Sequence, residues 1–122
     1  MTLTYDAFPE DDTVEIDISG EITEADIDEI SPWIERFMKE RDTVHVVEVV
    51  QDVEGAEPSA LWKGLKFDAQ HLSNFDRVAV VSDKDWVDPL AKATELVTNL
   101  EVRTFPMRDL TAAREWARHG GL

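Results

Sequence analysis

The sequence has no cysteine, which excludes disulfides and thiolate metal sites and fits a reducing compartment. Basic residues are scarce: 12 lysines and arginines stand against 27 aspartates and glutamates, for a formal charge of -15. A surface of that sign repels phosphate backbones and anionic headgroups, so nucleic acid is not an expected partner. No apolar run approaches the roughly 18 residues needed to cross a bilayer, and Met1 to Asp6 lacks the basic and apolar stretches of an export signal. A cytoplasmic protein without a membrane span is expected. Glycine is sparse too, and its five occurrences form neither a phosphate loop nor a dinucleotide fingerprint. The three histidines, His45, His71 and His119, lack the spacing and cysteine neighbours of a metal site. No cofactor, metal or catalytic residue is expected, and the chain reads as a non-enzyme.

A length of 122 residues accommodates one domain over 1–122, since single domains commonly run to about 100–150 residues. Leu3 to Phe8 and Thr13 to Ile18 flank Pro9-Glu10-Asp11-Asp12, and the second segment alternates Val14, Ile16 and Ile18 with polar residues. That pattern predicts a hairpin. Thr23 then stands at a helix N-cap position, followed by Glu24, Asp26 and Asp28, which suit the positive end of a helix dipole. Ile27, Ile30, Trp33, Ile34, Phe37 and Met38 share an arc of roughly 140° on that helix. Pro32 lies within the pattern and implies either a kink or a second helix capped by Ser31.

Val44 to Val50 is β-branched and nearly continuous in apolarity, as in a central strand covered on both faces. A polar stretch follows, and Ser59 is placed to cap a helix that turns Leu61, Trp62, Leu65, Ala69 and Leu72 to one side, with Phe67 outside that side. Arg77 to Ser82 reads as a short buried strand. It leads through Asp83 and Asp85 to a helical pattern of Trp86, Leu90, Ala93, Thr94 and Val97. Glu101 to Phe105 makes the last strand, and Asp109 is expected to cap a final helix that buries Leu110, Ala113, Trp116 and Ala117 before Gly120-Gly121. The expectation is an α/β fold: a mixed, mostly parallel sheet of four to five strands with an amino-terminal hairpin, covered by about four helices.

Several ordered fragments resemble the SpoIIAA-like family of the STAS and Sec14-like structural group. They are Ser19-Gly20-Glu21-Ile22-Thr23 with Asp26 and Pro32, then Glu54-Gly55 and Ala60 to Asp68. Phe75 to Asp83 with Trp86, and Val102 to Pro106 with Ala113 to Trp116, complete the series. The resemblance implies a helix-covered sheet without established enzymatic activity. It also carries two ideas of function: a small apolar molecule held between helices and sheet, or a protein partner bound in the manner of anti-sigma factor antagonists. The latter are switched by phosphorylation in an Asp-Ser-Ser/Thr-Gly turn after the central strand. Here Val50 is followed instead by Gln51-Asp52-Val53-Glu54-Gly55-Ala56-Glu57-Pro58-Ser59. Ser59 is the nearest counterpart of the phosphosite, and it is better explained as a helix cap beside Glu54 and Glu57, whose charge opposes a phosphate.

Asp83 and Asp85 after a strand resemble a magnesium-phosphate pair, but helix capping explains the same letters. The residues expected to line an apolar ligand are Leu61, Trp62, Leu65, Phe67 and Trp86, near the carboxyl ends of the strands where open α/β sheets bind ligands. The expected partner is thus a small apolar molecule or a protein. A domain this small gains by burying surface against a copy of itself, so a homodimer is among the expected states.

Overall fold

A computed structural model describes residues 2–21, 23–51, 75–85, 87–97 and 100–120. Strand β1 (Thr2–Phe8) and strand β2 (Thr13–Ser19) pair antiparallel, from Thr2 opposite Ser19 to Phe8 opposite Thr13. Between them Pro9–Asp11 forms one 3-10 turn, and Asp12 closes it in the left-handed region at φ 51°. A short polar side chain tolerates that conformation better than a branched one.

Helix α1 (Glu24–Met38) follows. Thr23 is its N-cap, and the Asp26 carboxylate accepts hydrogen bonds from both the Thr23 backbone N–H at 2.7 Å and its hydroxyl at 2.9 Å. Pro32 lies inside a single helix with its ring exposed, which decides between the two readings of the sequence. The adjacent Ser31 hydroxyl donates to the Ile27 carbonyl at 2.6 Å.

Strand β3 (Val44–Gln51), strand β4 (Phe75–Val81), helix α2 (Val87–Val97) and strand β5 (Glu101–Phe105) come next in the described chain. A 3-10 turn (Met107–Asp109) then leads into helix α3 (Leu110–His119). Asp109 occupies the N-cap position as expected, but its side chain makes no capping hydrogen bond. The chain arrives there already turning, and the local anchor is Asp83, whose Oδ1 accepts the Met107 N–H at 2.9 Å.

The sheet has the order β1-β2-β3-β4-β5, with every neighbouring pair after the first parallel. Helices α1 and α2 pack on one face. There Ile30, Ile34 and Met38 of α1 meet Val14, Ile16, Val44 and Val46, while Val87 of α2 meets Val50 and Val80. Crossovers of one hand, advancing strand by strand in one direction, put successive helices on the same side. Helix α3 takes the other face, where Ala113, Trp116 and Ala117 cover Val47, Val49, Ala79 and Val81. β3 is therefore buried from both sides, as its near-continuous apolarity predicts.

The end of α3 is held by Arg77. Its Nε donates to the Ala117 carbonyl at 3.2 Å, and its Nη2 lies 3.5 Å from the Arg118 carbonyl. Gly120 closes the helix at φ 70°, its N–H donating to the Trp116 carbonyl. A Cβ at this position would meet the Arg77 guanidinium at 3.0 Å, so the site suits glycine on both conformational and steric grounds.

Candidate functional site

Leu61, Trp62, Leu65 and Phe67, with Ser59, belong to the chain between β3 and β4, and Trp86 immediately precedes α2. All six lie outside the described residues. The described part of the fold supplies the surroundings in which a site would sit, and four polar settings stand out in it.

At the carboxyl ends of the strands, Asp83 is engaged by the Met107 amide, and the Ser82 Oγ accepts the Lys84 N–H at 3.1 Å. Ser82 also donates its own N–H to the Phe105 carbonyl at 2.9 Å. This carboxylate therefore ties β4 to the turn after β5, in keeping with a structural reading of Asp83. Among the described residues no group of three or more carboxylate or imidazole ligands is arranged around a common point.

On the α3 face, Glu15 of β2 is buried at 6% exposure and receives two hydrogen bonds of 2.8 Å from Nε and Nη2 of Arg114. That bond to Glu15 makes the guanidinium still more basic. Nearby, burial and then the Glu15 charge push the Asp17 carboxyl up, against a lowering influence from Arg114. A cleft of about 220 Å³ opens here, lined by Thr4, Asp17, Ser19, Gln51, Leu110 and Arg114 among others. It is smaller than the roughly 300–1,000 Å³ typical of small-molecule pockets. Its one guanidinium directs two N–H groups to Glu15, so the cleft offers little to a lipid chain or an anion.

At the opposite ends of the strands on the same face, His45 Nε2 lies 3.1 Å from Arg77 Nη2. Arginine only donates, so Nε2 is the acceptor and the ring proton sits on Nδ1. That nitrogen is buried without a hydrogen-bond partner, and Asp76 Oδ2 stands 3.9 Å away. Burial and then the Arg77 charge hold the imidazole below its ordinary value of 6.5.

The α1/α2 face contains the polar group that sequence reasoning passed over. Glu48 is opposite Ile16 on one side and Val80 on the other, and it shares its strand face with Val44, Val46 and Val50. It stands at the seam between the cluster under α1 and the cluster under α2, which share Ile18 and Val78 at their margins. Burial pushes its carboxyl up, and no opposing charge or hydrogen bond contributes. No hydrogen-bond or ion-pair partner attends it among the described residues. The residue as a whole is half-buried. Leaving such a carboxyl unpaired costs on the order of 1–3 kcal/mol. The available sequence signal was one charged letter inside an otherwise apolar strand, at the parity of its buried neighbours.

A family model described as SpoIIAA-like matches residues 13–118, nearly the whole of this sheet and its helices. The chain belongs to the SpoIIAA-like family. The same fold occurs in the 2.25 Å crystal structure of an uncharacterised protein of the DUF3478 family with a SpoIIAA-like fold, from Shewanella loihica PV-4. The two superpose with a TM-score of 0.78 at 19% identity, over 95% of this chain and 92% of the other. That likeness concerns the fold alone. No curated protein matches the sequence. Within the SpoIIAA-like frame, the mixed sheet with its leading hairpin agrees with the architecture expected from the sequence. No helix among the described residues is long and apolar enough to cross a membrane.

Proposed function

We propose that this SpoIIAA-like domain is a non-catalytic binding module that holds a small lipophilic molecule on the face of the sheet carrying α1 and α2. The observation that carries the reading is the apolar strand face itself, where Glu48 stands beside Val44, Val46 and Val50 at the seam between the clusters under α1 and α2. Apolar walls with a single polar group are the usual composition of a pocket for a small hydrophobic ligand. Ile18, Val78 and Val102, all only partly buried, offer apolar surface around it. Leu61, Trp62, Leu65, Phe67 and Trp86 are the candidates for the remaining wall.

Native mass spectrometry of the purified protein, followed by denaturation and organic extraction, tests this directly. A stoichiometric apolar adduct that disappears on denaturation is expected, together with its loss in Trp62→Ala. A clean mass, with no change in tryptophan fluorescence on titration with long-chain alcohols or isoprenoids, overturns the carrier reading. That result would turn the search to a protein partner.

A further inference from the structure

On the opposite face of the sheet, and independent of the ligand-binding reading, we infer that His45 and Arg77 form an acid-sensitive latch that fixes the carboxyl-terminal end of α3 to the sheet. Three observations lead there. The first is connection: one guanidinium joins β4, β3 and α3. Arg77 Nε donates to the Ala117 carbonyl at 3.2 Å, Nη2 reaches the Arg118 carbonyl at 3.5 Å, and the same Nη2 lies 3.1 Å from His45 Nε2. The last carbonyls of a helix have no intrahelical donor, so Arg77 stands in for the missing turn.

The second is confinement. The His45 and Arg77 side chains are 13% and 17% exposed. On the helix side, a Cβ at Gly120 would already stand 3.0 Å from Arg77 Nη1, which leaves the guanidinium little room to shift that way. Its way out runs beside the half-exposed Asp76, whose Oδ2 lies 3.3 Å from Nη1.

The third is the proton. Arginine only donates, so its contact with Nε2 lasts while that nitrogen keeps its lone pair. A second ring proton lands on Nε2, turns the acceptor into a donor and sets two cations 3.1 Å apart. The charged groups around the ring are Arg77 and Asp76 from β4, and Asp11 and Asp12 from the turn between β1 and β2. Arg118 of α3 stands beside them, 4.0 Å from Asp11. The carboxylates favour the proton, but burial and then Arg77 outweigh them, so the ring gains it only below its ordinary 6.5. Arg77 then swings to Asp76, the two α3 carbonyls lose their donor, and the last turn of α3 loosens from the sheet that Trp116 and Ala117 cover.

The experiment follows, by NMR, the His45 ring signals and the hydrogen-exchange protection of backbone amides, corrected for the intrinsic effect of pH. The range from about pH 7.5 to about pH 4.5 spans imidazole titration and stays above ordinary carboxylate values. Protection in the last turn of α3, including the Gly120 N–H that donates to the Trp116 carbonyl, is expected to fall about tenfold with the midpoint of the ring, while α1 holds. His45→Gln keeps an acceptor for Arg77 and gains no proton, so the fall should vanish; Arg77→Gln should show the low protection already at neutral pH. Protection of α3 that stays level through the ring's titration, that is matched by an equal fall in α1, or that falls equally in His45→Gln overturns the latch. A ring that stays neutral until the whole domain unfolds overturns it too, and wild type alone decides the matter if either variant fails to fold.

Discussion

Two glutamates on adjacent strands show how differently the two faces of this sheet are used. Glu15 of β2 is buried under α3, and Arg114 meets both its oxygens at 2.8 Å. Glu48 of β3 points to the α1/α2 face among valines and isoleucines, with burial as the only resolved influence on its proton. A buried charge is tolerated when paired and hydrogen-bonded, and the first glutamate satisfies that condition. The second leaves it open. The α3 face thus pairs its buried carboxylate with its own guanidinium, while the other face holds a carboxyl with no such partner among the described residues.

The comparison is broken most forcefully at Arg114. Arg114→Leu leaves Glu15 buried without its partner and should cost about 3 kcal/mol in urea unfolding. This is the lower end of the range for a broken buried pair, because the Arg114 side chain is 38% exposed. A second change, Glu15→Gln, should recover much of the loss; no recovery would mean that packing rather than charge holds the pair.

Glu48→Leu is expected to do the opposite. Removing a carboxyl that has no partner among the described residues from an apolar face should stabilise the protein by about 1–2 kcal/mol, seen as a higher urea midpoint at unchanged slope. A destabilised Glu48→Leu would show that Glu48 is already satisfied within the fold.

Smaller effects follow from pH. The folded Glu48 carboxyl is raised above its ordinary value of 4.5, so the folded state holds that proton more firmly than the unfolded one. Its contribution is full below 4.5 and is lost as pH rises through the folded value. Glu48→Gln should therefore flatten the decline of stability on the alkaline side. His45 has the reverse sign. Its folded value lies below 6.5, so its contribution is present above 6.5 and is lost as pH falls through the folded value. His45→Gln, which keeps an acceptor for Arg77, should flatten the acid side. Unchanged pH profiles in either variant would place the titrating groups elsewhere.

The strands were readable because their letters obey simple periods. The hairpin expected at Leu3 to Phe8 and Thr13 to Ile18 forms over Thr2–Phe8 and Thr13–Ser19, and the last strand runs over Glu101–Phe105 as its pattern indicates. The buried stripe of α3 is likewise present in Ala113, Trp116 and Ala117. Pro32 was ambiguous because its missing N–H permits both a new first turn and an interior position, and only the packing of Ile30, Ile34 and Met38 onto the sheet favours one continuous helix. Asp109 misled because N-cap chemistry is common at that position, while the actual tie comes from Asp83, 26 positions earlier, through the Met107 amide. Glu48 went unnoticed because a strand pattern gives its face but not whether a partner waits there. The expected lining residues Leu61, Trp62, Leu65, Phe67 and Trp86 lie outside the described chain, so they remain expectations of sequence.

Local periodicity and end signals determined which segments are strands and helices, and the family resemblance carried their order, since both depend on nearby letters and their sequence. Tertiary structure decided which polar groups find partners. Arg114 reaches Glu15 across 99 positions and Arg77 caps a helix 40 positions away, distances over which no local pattern extends. Among the described residues the same long-range assembly gives Glu48 no such partner, because the strand neighbours brought beside it are Ile16 and Val80.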